Sequence, residues 1–472
     1  MELGSDELRS LFFLDTRSSA DSADCSVLSP LSSGAGSTFC NHGSYGAVPR
    51  CVMRYFQRML ERVESHPDLW FRAHSYSMTR EALRPFAALM HTQPENLVFT
   101  NNATTAVNAV LNSLDLSKGD VILTPDCTYN ACKIAMRHRA QITGATYVEF
   151  ALPLPVANAR AVLEAFNAQV DAVESRGDRV KFVLVDAITS PSAIVMPWRA
   201  ICTLMRARDI RCMVDGAHAI GQIPIDLSPL PASEEFAALL ASSASSASSV
   251  SSSSASSASS ASAADPLDEV DFFTTNLHKW LWAPKGCAVL YCRPGLQSTL
   301  RPLVTSHSHS EGFQRAFWMQ GTREDSAYIA ATQGVRFREA LGADRCAAYV
   351  HALAQSAEDL INARLWGADA APADQPRALC SHKMRCPNMR LVRLPWAVPA
   401  DESARGPRAD RAGMDLITRY SLVAPIIYEK HTAAFWVRFS VTIYNDQRDY
   451  QRLAEALVHY AEQPENKDLR GQ

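Results

Sequence analysis

Two short apolar segments of this 472-residue chain each end in an aspartate. Phe182–Val185 precedes Asp186, Arg211–Val214 precedes Asp215, and a helix-like segment separates them. Strand-like segments that alternate with helical ones are typical of a mostly parallel sheet covered by helices on both faces. Such sheets bind ligands beyond the carboxyl ends of their strands. The sequence therefore predicts an α/β fold with these two strand ends at its ligand-binding edge.

One lysine lies in a context that favours chemistry over solvation. Lys279 occurs in Asn276-Leu277-His278-Lys279-Trp280, between an acidic and aromatic segment and the apolar strand Cys287–Cys292. A lysine amine can form a Schiff base once it loses its proton, and burial or a cationic neighbour lowers its pKa. The ordinary interpretation of a single lysine is a surface residue in a basic loop. Two upstream features favour the reactive interpretation.

The first upstream feature is the carboxylate of Asp215, which begins Asp215-Gly216-Ala217-His218 at a predicted strand end. The second is Phe99–Asn108, where small hydroxyl residues follow a strand and begin an apolar helix. A helix N-terminus of this kind offers free N–H groups and a favourable dipole to a phosphate. Each feature alone is equally well a helix cap or a strand-end turn. In order with Lys279, they form the set that pyridoxal phosphate requires, including a carboxylate beside its ring nitrogen.

The chain resembles the class V aminotransferase family of pyridoxal phosphate enzymes. Within that family it is most similar to the isopenicillin N epimerase-like branch, which also includes plant-type cysteine desulfhydrases and the C–S lyases of ergothioneine synthesis. The resemblance runs from about Leu8 to about Tyr460 and rests on Asn41-His42-Gly43-Ser44-Tyr45-Gly46, Asn102-Ala103-Thr104-Thr105, Asp186-Ala187-Ile188-Thr189-Ser190-Pro191, Val214-Asp215-Gly216-Ala217-His218, Asn276-Leu277-His278-Lys279-Trp280 and Gly321-Thr322-Arg323. Ala187 stands where this branch often has histidine. The resemblance implies fold type I, with a large mostly parallel sheet domain and a smaller α/β domain.

The same resemblance implies roles for individual residues around pyridoxal 5'-phosphate. Lys279 would carry the cofactor and act as the base, and Asp215 would face the ring nitrogen. Further cofactor contacts are implied for Ala103, Thr104, His218, Asn276, His278 and Thr322. Tyr129 lies in a strand-end loop, where an aromatic side chain can stack on the cofactor ring and take part in catalysis. The alternative for Tyr129 is a partly buried tyrosine that is hydrogen-bonded to a neighbour.

Substrate contacts are implied for Asn41, His42 and Tyr45 in the glycine-rich segment Thr38–Val48, and for Arg438. Arg438 lies in a strand-like segment, Phe435–Val441, and shares one face of it with Trp436 and Ser440. An arginine that faces inward needs an anion, and a substrate α-carboxylate is an ideal bidentate partner. The alternative for Arg438 is a structural ion pair.

The resemblance also implies a homodimer in which Gly321-Thr322 reaches the cofactor phosphate of the neighbouring subunit. The alternative role for Thr322 is to cap the N-terminus of a helix over Asp325–Leu341. The substrate is expected to be a small amino acid.

Composition excludes other classes of partner. The chain has 46 Lys and Arg against 49 Asp and Glu, so its net charge of −3 gives no electrostatic case for nucleic acid or an anionic membrane. No apolar segment approaches the length of a membrane-spanning helix, and the N-terminus lacks a secretory pattern, so we expect a cytoplasmic protein. None of the twelve cysteines forms Cys-x-x-Cys, and no histidine set completes a zinc pattern. We therefore predict free thiols and no metal site.

The predicted organisation divides the chain into four parts. Residues 1–36 are read as a flexible arm and 37–63 as a segment that joins the small domain. Residues 64–341 form the large cofactor-binding domain, with a disordered Ser/Ala insertion at 241–264, and 342–472 form the small domain. Within the small domain, the charged stretch Asp401–Arg411 is read as a loop.

Three activities remain open after removal of an α-proton. We favour a C–S lyase that eliminates the β-substituent of cysteine or of a cysteine conjugate, such as hercynylcysteine sulfoxide in ergothioneine synthesis. An epimerase would need a second base on the opposite face of the substrate. A cysteine desulfurase would need a nucleophilic cysteine near it, for which Cys380 and Cys386 are candidates. A non-catalytic cofactor-binding scaffold is the fourth possibility. A scaffold would have no need of Lys279, Asp215 and Arg438 together, so the presence of all three argues against it.

The Ser/Ala insertion gives a first testable prediction. Deletion of residues 241–264 is expected to leave folding and cofactor content nearly unchanged, because the segment has only Val250 and alanine methyl groups to pack. Thermal unfolding and cofactor absorbance of the deletion variant check this. A large fall in melting temperature would show that the insertion packs against the rest of the protein.

Overall fold

The computed structural model describes residues 2–13, 37–229, 270–367 and 376–469. The predicted Ser/Ala insertion and residues 14–36 of the predicted arm lie outside these ranges. The α-helices, numbered α1 to α16 within the described ranges, are Asp6–Arg9, His42–Tyr45, Arg50–Ser65, Pro67–Leu69, Ser75–Ala82, Arg84–Leu89, Ala103–Ser113, Asn130–Thr143, Ala159–Glu174, Trp198–Ala207, Leu277–Trp280, Phe313–Trp318, Ser326–Leu341, Ala343–Trp366, Arg405–Tyr420 and Gln447–Glu462. The strands β1 to β12 are Thr38–Phe39, Leu97–Thr100, Asp120–Pro125, Thr146–Phe150, Arg179–Asp186, Arg211–Asp215, Phe272–Asn276, Ala288–Cys292, Met389–Arg393, Leu422–Val423, Ile426–Glu429 and Ala434–Ser440.

The large domain is built on a seven-stranded sheet with the order β2-β8-β7-β6-β5-β3-β4. Strand β8 is antiparallel to both of its neighbours, whereas the pairs from β7 to β4 are parallel. The predicted mostly parallel α/β fold is therefore confirmed. Strands β5 and β6 pair in a register that sets Asp186 directly opposite Asp215.

Helices cover both faces of this sheet, which explains why its strands are rich in apolar residues and largely buried. Strands β2, β3, β7 and β8 are buried at every position. Successive side chains of a strand point to opposite faces, so each strand contributes to two cores. In β5, Val183 and Val185 belong to one apolar cluster and Phe182 and Leu184 to the other.

The small domain has its own three-stranded antiparallel sheet, β11-β12-β9, and an apolar core against α14 and α16. Strand β12 separates the two domains. Its Phe435, Val437 and Phe439 lie in the small-domain core, whereas Trp436 packs with the large-domain cluster. The predicted alternation therefore sets Arg438 on the face that looks toward the large domain.

The predicted flexible arm is wrong for residues 2–13. Helix α1 is capped by Ser5, and both Leu8 and Phe12 are fully buried in the small-domain core. Arg9 forms an ion pair with Asp449 at 2.8 Å. The segment is short and mostly polar, and its packing partners are distant in sequence: Phe12 packs edge-to-face against Phe337 and Tyr444.

The structure also differs from the predicted domain boundaries at two places. Residues 38–39 pair with β10 as expected, but α3 packs along α13 and buries Met59 and Val63 in the large-domain cluster. Downstream of residue 376, Cys380 and Arg385 form isolated β-bridges to large-domain residues Val156 and Ile194. The chain segments at both predicted boundaries therefore contact the large domain, and local sequence patterns do not predict these contacts.

The predicted loop at 401–411 is wrong, because residues 405–420 form helix α15. Its buried residues are Ala409, Ala412 and Leu416, which are spaced by three and four positions and pack under β11. Two of the three are alanines, so the apolar stripe is too weak to identify among the surrounding charges. Within the described ranges, no helix is long and apolar enough to cross a membrane.

Candidate active site

Five parts of the chain meet beyond the carboxyl ends of the central strands: the ends of β5, β6 and β7, the short helix α11 and the N-terminus of α7. Asp186 and Asp215 end β5 and β6, and Asn276 ends β7. The short helix α11 follows directly and carries Lys279 toward the two carboxylates. The structure thus brings together the acid, the lysine and the N-terminus of α7, as the sequence predicts.

Lys279 is held in a largely buried position by neighbours on both sides. Its Nζ lies 3.0 Å from Nε2 of His218, and its backbone carbonyl accepts a hydrogen bond from His42 at 2.6 Å. Burial is the main reason that the pKa of Lys279 is lowered to about 8; Asp215 opposes the shift, and Arg438 contributes to it. The amine therefore titrates near neutrality, as a base or nucleophile must.

Asp215 is buried and receives two hydrogen bonds that fix its orientation. The N–H of Ala217 donates to Oδ1 at 2.9 Å, and the thiol of Cys132 donates to Oδ2 at 3.3 Å. Burial raises the pKa of Asp215, while these hydrogen bonds and the nearby Lys279 oppose the rise. The sequence did not reveal Cys132, because 83 residues separate it from Asp215.

Asp186 is a second buried carboxyl that the predicted site did not include. Burial raises its pKa well above the usual range, and the neighbouring Asp215 raises it further. Its Oδ2 has no hydrogen-bond partner among the described residues although it is fully shielded. A buried polar atom without a partner is costly, so this oxygen marks a position where a bound group is needed. The strand-end pattern shared with Asp215 was the available signal.

The predicted phosphate position has an unused donor. Asn102 caps α7 by accepting from the N–H of Thr105 at 2.8 Å, and Asn276 accepts from the N–H of Ala103 at 2.9 Å. Ala103 and Asn276, both predicted to contact the cofactor, are therefore bonded to each other. In the described part of α7, the N–H and the hydroxyl of Thr104 donate no hydrogen bond, so both can donate to a bound anion.

His278 lies beside Lys279, and its Nδ1 donates to the carbonyl of Cys287 at 2.9 Å. A carbonyl can only accept, so the proton is on Nδ1 and the other ring nitrogen is left for a ligand. Burial lowers the pKa of His278 to about 4. His218 is more deeply buried, and its pKa lies well below the usual value because of that burial.

Arg438 is buried at 6% exposure and has no carboxylate partner in the described ranges. One terminal nitrogen donates to the carbonyl and hydroxyl of Ser190; the other donates to Asn41 at 3.2 Å and Ser44 at 3.0 Å. Burial lowers its pKa to about 10, and its Nε has no partner. The alternative role of Arg438 in a structural ion pair is therefore not supported, because no carboxylate among the described residues pairs with it.

Two tyrosines flank this arginine at the surface. Tyr45 is 71% exposed and Tyr129 is 45% exposed. Burial raises the pKa of Tyr129. The neighbouring Cys132, Tyr45 and Asp215 raise this pKa further, and Arg438 opposes the rise. The predicted pair thus lies at the mouth of the site, where a side chain can contact a ligand without displacing core residues.

His42 has a different position from the one predicted. It is fully buried, Nδ1 is 2.9 Å from the hydroxyl of Tyr444, and Nε2 is bonded to the Lys279 carbonyl. Burial lowers its pKa to about 3. Both ring nitrogens are occupied inside the protein, so His42 supports the backbone of Lys279 and offers no free nitrogen to a substrate.

Thr322 does not join the other predicted cofactor contacts. Gly321 and Thr322 are exposed in a loop that precedes α13. The residue at the cap position of α13 is Asp325, so the alternative role of Thr322 as a helix cap is wrong.

Comparison with known proteins decides the family. The model of the class-V aminotransferase family matches residues 47–232 and 257–389, which is more than half of the chain. The chain belongs to this family. It is an enzyme family, its cofactor is pyridoxal phosphate, and every matched motif described above falls within or beside these residues.

Curated relatives are identical to this family member at between a fifth and a third of the aligned residues. A rice (Oryza sativa subsp. japonica) protein named as an L-cysteine desulfhydrase is 27% identical, over 64% of this chain and 57% of its own length. Isopenicillin N epimerase of Streptomyces clavuligerus is 24% identical over 88% and 93% of the two chains. Hercynylcysteine sulfoxide lyase of Schizosaccharomyces pombe is 23% identical over 69% and 74%.

Solved structures agree on the fold. A structure of C-DES with glycine covalently linked to the PLP cofactor has a TM-score of 0.61 and 17% identity, covering 90% of this chain and 96% of that chain. At this identity the comparison establishes the fold type I architecture and no substrate. The predicted fold is confirmed.

The residues present fit pyridoxal phosphate. The unpaired Oδ2 of Asp186 and the buried carboxylate of Asp215 offer polar contacts for the substituted pyridine ring. Thr104 offers donors to the phosphate, and the Lys279 amine can attack the aldehyde. When bound, the ring supplies an electron sink for charge that develops at the substrate α-carbon.

Proposed function

We propose that this enzyme is a C–S lyase that catalyses β-elimination on cysteine or on an S-substituted cysteine, including a cysteine sulfoxide conjugate. One observation carries the proposal. Lys279, a base whose pKa is lowered to about 8, shares a site with the hydroxyl of Tyr129 and with the guanidinium of Arg438, which has no carboxylate partner among the described residues. This set suits an amino acid that must lose an α-proton while its sulfur gains one.

Substrate binding starts from the carboxylate. Arg438 can turn its guanidinium to a bidentate α-carboxylate because its present partners are neutral oxygens of Ser190, Asn41 and Ser44. These neutral groups hold the planar guanidinium in a defined position before a substrate binds. The arginine is already desolvated, so a carboxylate gains a strong interaction without further burial of charge.

Proton transfer is then divided between two residues. Lys279, once free, accepts the proton from the substrate α-carbon. Tyr129, whose pKa is raised by burial, is protonated near pH 7, and its hydroxyl is the proton donor assigned here to the departing sulfur. Elimination requires the donor to reach the departing sulfur, whereas inversion requires it to reach the opposite face of the α-carbon.

Asp215 acts at the other end of the ring. The hydrogen bonds from Ala217 and Cys132 hold its carboxylate in place, and a bound, protonated ring nitrogen would supply the positive partner that the buried group lacks. Asp215 would thereby keep the proton on that nitrogen.

The overall reaction balances with water as the only co-reactant. The Cβ–S bond breaks, the sulfur leaves with a proton as sulfide or another reduced sulfur acid, and the remaining amino-acrylic acid reacts with water to give pyruvate and ammonia. The substrate sulfur carries away the electron pair of the broken bond, so the reaction needs no oxidant or reductant.

A desulfurase activity finds little support in the two candidate cysteines. Cys380 and Cys386 are buried, and burial raises the pKa of each thiol to about 11. Cys386 also donates to Gln222 at 3.0 Å. A thiol of this pKa is not a nucleophilic thiolate at neutral pH. Epimerisation is the remaining alternative; it would require a second acid–base group that returns a proton to the opposite face of the α-carbon.

Replacement of both thiols tests this choice. The double variant Cys380→Ser, Cys386→Ser is expected to release pyruvate and sulfide from L-cysteine at a rate similar to that of the unaltered protein. The measurement is the initial rate of both products, with circular dichroism to confirm folding. Loss of sulfur release with intact folding and bound cofactor would assign the sulfur chemistry to a cysteine and contradict the lyase.

We also propose a homodimer in which Gly321 and Thr322 reach the phosphate of the neighbouring site. Their exposure in this chain supports the proposal, because a loop that contacts a second subunit is exposed in a single one. Light scattering, together with the effect of Thr322→Ala on cofactor affinity, tests it.

A further inference from the structure

Trp280, the residue after the reactive lysine, contacts the site through its indole nitrogen. The indole N–H donates to Nδ1 of His218 at 3.4 Å, and the side chain is buried at 4% exposure. Its ring also packs against His42, with ring centroids 5.1 Å apart. Neither contact is needed to bind the cofactor or the substrate as described above.

The chemistry of the indole fixes the proton of His218. An indole nitrogen can only donate, so Nδ1 of His218 must accept. Burial keeps the pKa of His218 well below its usual value, which makes the ring neutral at physiological pH. A neutral imidazole carries one proton, and that proton must then lie on Nε2.

The consequence reaches Lys279, whose Nζ is 3.0 Å from Nε2 of His218. An N–H on Nε2 needs an acceptor. A neutral amine has a lone pair, whereas an ammonium group has none. Two donors would therefore face each other if Lys279 were protonated while Trp280 holds the tautomer.

We propose that Trp280 is a positioning residue that fixes His218 in the Nε2–H tautomer, so that His218 donates to the Lys279 amine and holds it in its neutral, proton-accepting form. The inference rests on the proposed role of Lys279 as the reacting amine. Trp280 would affect the Lys279 amine only through its hydrogen bond to His218.

Other charged groups around Lys279 bear on its protonation and are unchanged by a substitution at position 280. Asp215 and Asp186 favour the ammonium form, and Arg438 opposes it. The remaining titratable groups that face the lysine or His218 are Cys132 and His278. A difference between the Trp280 variant and the unaltered protein therefore isolates the contribution of the indole hydrogen bond.

The tautomer itself is the first measurement. The full chain is labelled with ¹⁵N in the histidine rings and freed of cofactor, so that the Lys279 amine is free, and the His218 signals are those missing from His218→Gln. We expect Nε2 to show the shift and one-bond coupling of a protonated ring nitrogen and Nδ1 those of an unprotonated one. A proton on Nδ1 in the unaltered protein would overturn the proposal whatever the variants do.

The second measurement compares Trp280→Phe with Trp282→Phe. Trp282 is also buried, but it packs against Phe337 and has no hydrogen bond to His218. Each full-length variant is freed of cofactor, and the rate of pyridoxal phosphate capture is followed against pH. Because only the neutral amine reacts, the midpoint of this profile follows the pKa of Lys279.

Trp280→Phe is expected to raise this midpoint by about 0.5 to 1 pH unit, the loss of one ordinary hydrogen bond. The midpoint should rise because His218, without the indole donor, can carry its proton on Nδ1 and accept a hydrogen bond at Nε2 from the Lys279 ammonium group, which stabilises the protonated form. Trp282→Phe should leave the midpoint unchanged. Equal midpoints in the two variants would overturn the proposal. A different reaction product would contradict the lyase but would leave the tautomer result standing.

Discussion

Lys279→Ala should lower turnover of the amino-acid substrate by about 10²- to 10⁴-fold, the contribution of a well-placed proton-transfer group. The neutral amine is lost from a position 3.0 Å from His218 and beside the buried Asp215. Initial rates of pyruvate release measure the effect. Borohydride treatment should fix the cofactor covalently to the unaltered protein at Lys279 and fail to do so in the variant.

Lys285→Ala is the matched control for this experiment. Lys285 lies six positions along the same segment, its pKa is also lowered by burial, and its Nζ donates to the carbonyl of Gly46 at 3.2 Å. It has no contact with Asp215 or His218. The control should retain most of the activity. A borohydride adduct on Lys285, or full activity in Lys279→Ala, would contradict the assignment.

Arg438→Lys should lower kcat/KM by about 30- to several-thousand-fold, because a desolvated charge pair of this kind is worth roughly 2–5 kcal/mol. Lysine keeps the positive charge but loses the planar fork that meets a carboxylate with two hydrogen bonds. The contacts to Asn41 and Ser44 would also be lost, so the shorter cation would have no defined orientation. Cofactor content should not change.

The control for Arg438→Lys is Arg448→Lys, an exposed small-domain arginine that pairs with Asp446. It should behave as the unaltered protein does. Near-normal kcat/KM in Arg438→Lys would contradict the carboxylate role. Loss of cofactor together with activity would show instead that Arg438 supports the fold.

The central part of the fold could be predicted from the sequence because its strands are apolar and end in polar residues. Asp186 and Asp215 were visible as strand ends, and parallel pairing necessarily sets them at one edge. The antiparallel direction of β8 could not be predicted, since β8 is buried at every position, as are the strands β3 and β7 that belong to the parallel part of the sheet. In a sheet that is buried on both faces, side-chain patterns carry no information on strand direction.

The site was predictable in its reacting groups and not in their supports. Lys279 and Arg438 have distinctive sequence contexts, whereas Cys132 and Trp280 look like ordinary core residues. Their roles depend on contacts with Asp215 and His218 that arise only from the tertiary fold. His42 shows the opposite error, because its motif resembled a substrate-binding segment while its ring nitrogens are committed to Tyr444 and Lys279.

The fate of the substrate sulfur and α-carbon tests the central claim most directly. L-cysteine, S-substituted cysteines and a cysteine sulfoxide conjugate are each incubated with the purified protein, and all products are quantified. We expect equal amounts of pyruvate, ammonia and a released sulfur species from at least one of them. Alanine with a protein persulfide, or an intact substrate with inverted configuration at the α-carbon, would contradict it.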